Sequence, residues 1–201
     1  MDKRSYALGM SIAHNMIQSG VKDLTLEDFL SGLSAILAGQ TPEIPFDEAG
    51  AILDEYFTAI ENEKKSEQKE IASAMKAEGK KFLLENASKE GVVTLPSGLQ
   101  YRVIREGKGK KPTRSSKVYC NYEGKFINGQ IFDSSYKRGE PIEFGVTQVI
   151  AGWTEVLQLM SEGAEWEVFI PYNLAYGENG APGAIPPCAT LIFRIELIEV
   201  R

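Results

Sequence analysis

The sequence predicts an α+β protein: an all-helical N-terminal segment, one long connecting helix, then a C-terminal antiparallel half-barrel sheet wrapped around a single short helix. Three observations carry this reading. Apolar residues recur at three- and four-residue steps up to about residue 60, which is the period of a helix with one covered face. From about 61 to 90 the chain holds helix formers and charges, with no proline and one glycine, Gly79. From Gly91 onward the texture changes to short alternating runs separated by turn residues. The expected divisions are a helical domain over 1–60, a helical linker over 61–90 and a sheet domain over 91–201.

The first helix is expected over residues 4–18, with Tyr6, Met10, Ala13, Met16 and Ile17 on one stripe and Gly20 as its stop. Thr25 stands where an N-cap belongs, ahead of Leu26, Phe29, Leu30, Leu33, Ile36 and Leu37, with Asp28 in the first turn near the positive helix end. Pro42 and Pro45 break the chain, and Asp47 is read as the cap of a third helix striped by Ile52, Leu53, Tyr56, Phe57 and Ile60. That helix can run to about Asn86, roughly 60 Å at 1.5 Å per residue. The alternative is a break near Gly79. Its middle, rich in Glu and Lys, has no apolar stripe and reads as a solvated spacer. Three short stripes bury too little to make a core alone, so a homodimer through the N-terminal helices is expected.

Beyond Gly91, strands are expected over Leu99–Ile104, Lys117–Phe126, Glu165–Pro171 and Leu191–Val200, and Asn128-Gly129 marks a hairpin turn. The sheet needs something to cover. The stretch Gln148–Met160 supplies it, with Val149, Ile150, Trp153, Val156, Leu157 and Met160 at helical spacing.

Composition narrows the classes. The 201 residues are 43% hydrophobic and 25% charged, as in ordinary globular chains, and the net charge of −6 argues against a nucleic-acid surface. No apolar run approaches the roughly 18 residues of a membrane span. The N-terminal MDKRSY leads into no signal-peptide core, so the cytoplasm is the expected compartment, with a periplasmic or cell-surface site as the alternative if a signal has been trimmed. Cys120 and Cys188 are far apart and are expected to be free thiols. With a single histidine, His14, read as a helix-face residue, neither a metal site nor a Ser-His-Asp or Cys-His device is supported.

Seven segments, in order, give the C-terminal half its character: Tyr122-Glu-Gly124, Asn128-Gly129, Phe132-Asp-Ser-Ser135, Val149-Ile-Ala-Gly-Trp153, Ala175-Tyr-Gly177, Ile185-Pro-Pro187 and Ala189-Thr-Leu-Ile-Phe193. Together they closely resemble the FKBP-type peptidyl-prolyl cis-trans isomerases over about residues 95–201. The helical half, including Tyr6-Ala-Leu-Gly9, is similar to the dimerisation segment of the bacterial Mip-like branch. The resemblance implies the FKBP fold and a proline pocket. Tyr122, Phe132, Trp153 and Phe193 would form its aromatic walls and floor, with Trp153 under the substrate proline. Val149 and Ile150 would form the rim, the Ile150 N–H holding a substrate carbonyl. Tyr176 would supply a hydroxyl donor, Asp133 the pocket's carboxylate, and Arg138 its ionic partner. Ile142 and Ile185 would complete the binding surface. No cofactor is implied.

The chemistry is intelligible from the residues. Rotating an X-Pro bond breaks no covalent bond; the obstacle is amide resonance, a barrier of about 18–20 kcal/mol in peptides. An apolar, water-poor pocket favours the twisted, less charge-separated amide, and Asp133 can equally be read as a residue of the Asp133-Ser134-Ser135 turn. Proline-containing unfolded proteins are the expected substrates, and macrolides such as tacrolimus and rapamycin the implied inhibitors. Ile142, Ala181 and Ala184 depart from common family residues, make the loop side smaller or less aromatic, and count against macrolide affinity. The competing readings are a non-catalytic proline-binding chaperone or docking module, and a structural scaffold built for its long helix.

Overall fold

The computed structural model describes all 201 residues. They form two compact units, Met1–Glu67 and Gln68–Arg201. No helix is long and apolar enough to cross a membrane.

The first unit holds α1 (Lys3–Ser19), α2 (Leu26–Leu37) and the first turns of α3 (Phe46–Ala87). The Asp2 carboxylate caps α1 by accepting from the Arg4 and Ser5 amides, both at 3.2 Å. Gly20, at φ 91°, ends it in the left-handed conformation that glycine adopts without strain. Thr25 is the N-cap residue of α2, although its hydroxyl makes no capping bond. Asp47 is not the cap of α3. The helix has already begun at Phe46, and Asp47 lies in the first turn, where its charge faces the positive helix end.

Within this unit Tyr56 bridges the α1–α2 connection: its hydroxyl accepts from the Lys22 amide at 2.9 Å and donates to the Lys22 carbonyl at 2.8 Å. Lys64 donates to the Ser19 carbonyl at 2.9 Å. Yet no residue of α1 or α2 is buried. Ile17 is 70% exposed and Leu37 79%, so the apolar stripes form but stay uncovered.

The helix α3 runs unbroken through Gly79. That glycine serves close packing instead of a bend: a Cβ there would lie 2.3 Å from Thr190 Oγ1. Further along, the Phe82 ring meets Phe169 at 5.9 Å, Asn86 donates to Gln100 Oε1 at 2.9 Å, and Gln100 donates to the Leu83 carbonyl at 2.8 Å. The last turns of α3 are therefore packed on the sheet. The division between units falls between Glu67 and Gln68, within the stretch 61–90 that composition marks as a helical linker.

The sheet is antiparallel throughout, in the order β1 (Val92–Thr94), β2 (Gln100–Arg105), β6 (Glu165–Ile170), β7 (Leu191–Val200), β3 (Lys117–Phe126), β4 (Ile131–Ser134). A further strand, β5 (Ile142–Gly145), pairs with the first half of β3 while β4 pairs with the second. Gly129, at φ 87°, makes the expected β3–β4 turn. The concave face holds the core. Leu191, Phe193, Ile195 and Leu197 point to it from alternate positions of β7, and Val156, Leu157 and Met160 cover it, all three fully buried.

After the one-turn helix α4 (Ser135–Arg138), the covering helix α5 is shorter than its apolar pattern suggests and spans Ala151–Leu157 alone. The Gln148 amide closes a tight turn onto the Gly145 carbonyl at 2.9 Å, leaving Ile150 extended at ψ 152° as the N-cap residue. Val149 and Ile150 thus precede the helix. Cys120 and Cys188 are free and buried, and burial pushes the Cys120 thiol up to about 12.

Candidate active site

A cavity of about 570 Å³ opens where β3, β4, β5, the 145–150 turn, α5 and β7 converge. Its floor is the Trp153 indole, presented by the first turn of α5. Three rings surround that indole edge-on, all with centroids at 5.3 Å: Tyr122 at 86°, Phe193 at 89° and Phe144 at 61°. Edge-to-face contacts of this kind lock ring orientation beyond what area burial alone provides. Phe132 extends the wall, meeting Phe193 at 5.6 Å.

The aromatic wall depends on a missing side chain. A Cβ at Gly124 would lie 2.7 Å from both Phe132 and Phe193, so both rings close over a bare backbone. Strand register also contributes. Phe132 and Asp133 are sequence neighbours and should face opposite ways, yet both line the cavity. The ladder between β3 and β4 shifts register between Gly124 and Lys125, and such a bulge re-aims side chains.

One charged group enters the cavity. The Tyr122 hydroxyl donates to Asp133 Oδ2 at 2.5 Å, Arg138 Nη2 donates to the Tyr122 oxygen at 2.9 Å, and Arg138 pairs with the Asp133 carboxylate. Burial pushes the Asp133 carboxyl up, but the hydrogen bonds from Tyr122 and Arg138 outweigh it and hold the group below its ordinary 3.8. Burial, then the Asp133 bond, raises the Tyr122 phenol above 10, against the opposing pull of Arg138. Burial raises Tyr176 as well. All three groups keep their usual protonation across the neutral range.

Free donors stand at the rim. The Ile150 amide and the Tyr176 hydroxyl have no acceptor within the chain, and Tyr176 is 41% exposed. The Trp153 Nε1–H is buried without a partner, so the floor offers a hydrophobic plane and no satisfied polar group.

The structure brings nine of the expected residues to this cavity: Tyr122, Phe132, Asp133, Trp153, Tyr176 and Phe193, with Ile142, Val149 and Ile150. Arg138 stands outside the lining and acts on it through Asp133 and Tyr122. Ile185 does not line it. The residue is 6% exposed in the core, because its segment closes on itself through paired backbone bonds between Ala181 and Ile185 at 2.9 and 2.8 Å. Two lining residues escaped the sequence reading, Phe144 and Gln148.

Comparison with known proteins gives matches along the whole chain. The family model described as "FKBP-type peptidyl-prolyl cis-trans isomerase" matches residues 108–198, and "Domain amino terminal to FKBP-type peptidyl-prolyl isomerase" matches residues 1–103. The chain is 44% identical to the FKBP-type 22 kDa peptidyl-prolyl cis-trans isomerase of Escherichia coli over 98% of this chain and 93% of that relative. It is 40% identical to the outer membrane protein MIP of Legionella longbeachae over 100% of this chain and 85% of that protein. The crystal structure of FkpA from Escherichia coli superimposes with a TM-score of 0.75 at 35% identity, covering 99% of this chain and 95% of that one.

Proposed function

The chain belongs to the FKBP-type peptidyl-prolyl cis-trans isomerase family, and from that premise we propose how its pocket accelerates rotation about X-Pro bonds. The observation that carries the reading is the buried indole of Trp153, framed edge-on by three rings, with the unpaired Ile150 amide at its rim. A proline ring stacks on that floor, and a carbonyl of the bound segment takes the Ile150 N–H. The walls exclude water, so the planar amide, whose resonance separates charge, loses solvation that the twisted form does not need. Preference for the twisted form lowers the barrier. No bond to the protein forms.

In this reading Tyr176 donates to a second carbonyl. Asp133, held by Tyr122 and Arg138, fixes the Tyr122 wall and keeps a negative field on one side of the twisting amide. The test is cis-to-trans relaxation of an X-Pro tetrapeptide. Losing a neutral hydrogen bond costs about 0.5–1.5 kcal/mol and losing one to a charge about 1.5–3. Tyr176→Phe is therefore expected to lower kcat/KM about 3–10-fold and Asp133→Leu about 10–100-fold. Wild-type protein that fails to accelerate the relaxation would overturn the assignment.

The pH dependence follows with its sign. Asp133 is depressed, so its ionised pairing is complete above the ordinary carboxylate range and is lost only as pH falls through the lowered value. Tyr122 and Tyr176 are raised and stay protonated. Activity is expected to be flat between about pH 5 and pH 9, without the bell of acid–base catalysis.

The same family premise supports a homodimer assembled through the uncovered stripes of Met1–Glu67, giving one client access to two pockets and a gain in avidity. Replacing Ile52 and Leu53, each 51% exposed, by Glu removes two side chains whose burial is worth about 1.5–3 kcal/mol apiece. Sedimentation is expected to show dimer association weakened at least about a hundredfold. A wild-type monomer at working concentration would end the dimer reading. For compartment, the name of the Legionella longbeachae relative, outer membrane protein MIP, supports an exported site over the cytoplasmic one. For inhibitors, Ile142 forms part of the lining at 40% exposure, an aliphatic wall that supports weakened macrolide affinity.

A further inference from the structure

Gln148 lines the catalytic cavity from its open side and is held there by an unusual arrangement of its own turn. The Gly145 amide donates to Gln148 Oε1 at 3.0 Å. An amide N–H can bond only to the oxygen of a carboxamide, so this contact fixes which end is which. The Nε2 end has no acceptor within the chain and carries two free donors. Gly145 itself has no positive φ to account for its being glycine. What it provides is room: a Cβ there would lie 3.0 Å from Gln148 Oε1 and 3.2 Å from Cδ, so the bare backbone lets the carboxamide fold flat against it.

The lining is otherwise poor in unengaged polar groups. Its one charge, Asp133, is paired with Arg138, and the Tyr122 hydroxyl is spent on that pair. The free donors around the apolar floor include the Ile150 amide, the Tyr176 hydroxyl and the Gln148 carboxamide. A proline has no N–H, so a segment that contains one presents more carbonyl acceptors than amide donors. A ring of free donors matches that surplus.

We propose that Gln148 is a specificity-determining residue for the isomerase reaction: its Nε2–H donors, aimed by Gly145, bind a carbonyl or side-chain carboxylate of a residue flanking the proline, favouring acidic over basic flanks. The inference rests on the isomerase reading above and adds to it a side-chain contact outside the proline site. The donors are neutral, so they bind a backbone carbonyl in any client and gain further strength when the flanking side chain is anionic.

The test uses the full-length protein and two pairs of X-Pro tetrapeptides, with Glu or Lys immediately before proline in one pair and immediately after it in the other. Wild-type protein is expected to show a higher kcat/KM for Glu at one flank. Gln148→Leu should lower kcat/KM about 3–10-fold, chiefly through KM, and erase that preference, the loss of one hydrogen bond to the client. Gln148→Glu keeps the bond from Gly145 but replaces donors by a charge, and should move the Glu-to-Lys ratio at that flank by tenfold or more toward Lys. Gly145→Ala leaves the glutamine in place but displaces its carboxamide, and should flatten the preference as Gln148→Leu does. A simple packing role would shift all four peptides together. Ratios that move by less than threefold at both flanks in all three variants overturn the proposal, while wild-type protein inactive on every peptide overturns the isomerase reading itself.

Discussion

Trp153→Ala is expected to abolish peptide isomerisation and to lower the stability of the chain by about 3–5 kcal/mol, the range for removing a large buried ring. One face of the indole belongs to the core and the other is the cavity floor. Trp153 is 4% exposed and touches Tyr122, Phe144 and Phe193 edge-on, so its loss leaves a void beneath three rings that lose their orienting partner. Trp153→Phe separates the two roles. The indole N–H has no acceptor, so a phenyl ring forfeits no hydrogen bond, and removing that buried donor offsets part of the lost area. The Phe variant should cost less than about 1.5 kcal/mol and keep most of the activity. Urea midpoints and the tetrapeptide assay on both variants decide the matter. A Phe variant as damaged in activity as the Ala variant, with stability retained, would mean that the full breadth of the indole is needed as the floor.

The aromatic set was legible because its members sit on strands and a helix turn whose periods can be counted. Phe144 carried the same signal unread: it follows Ile142 by two positions in β5, so strand alternation places both on one face. Gln148 was hidden for another reason. Helical spacing assigns it to the start of the covering helix, whereas a local contact, its side chain folding onto Gly145, closes a turn there and delays the helix to Ala151. Ile185 shows the converse. An aliphatic residue beside Pro186 and Pro187 is compatible with either face of a loop, and the pairing of Ala181 with Ile185 turns it inward. In the long helix the solvated middle was readable from charge, but Gly79 looked like a weak point because its partner, Thr190, lies more than a hundred residues away in sequence. A glycine that fits a close approach and one that breaks a helix look alike in sequence; the distance of 2.3 Å from its absent Cβ to Thr190 separates them.

That packing makes the placement of a truncation decisive. A chain beginning at Gln68 is expected to fold and to isomerise peptides, whereas one beginning at Gly91 is expected to lose about 3–6 kcal/mol of stability, a large part of the roughly 5–15 available to a domain. Removing residues 68–90 strips Phe82 from Phe169 and uncovers Phe169 and Ile192, now 5% and 6% exposed, each worth about 1.5–3 kcal/mol of burial. It also removes Asn86 and the Leu83 carbonyl from Gln100, leaving a side chain that is 3% exposed to find new partners in water. The cavity draws no lining residue from α3, so the shorter chain should still catalyse peptide isomerisation where it remains folded. Urea unfolding of the two truncations gives the difference directly, and equal midpoints would mean that the last turns of α3 add nothing to the sheet. Both truncations lack Met1–Glu67. Any advantage of the full chain in refolding a protein client, over its activity on a tetrapeptide, should therefore vanish in both alike, while only the Gly91 chain should also be fragile. A loss of client refolding confined to the Gly91 chain would assign that advantage to the stability of the catalytic unit and remove the case for the dimer.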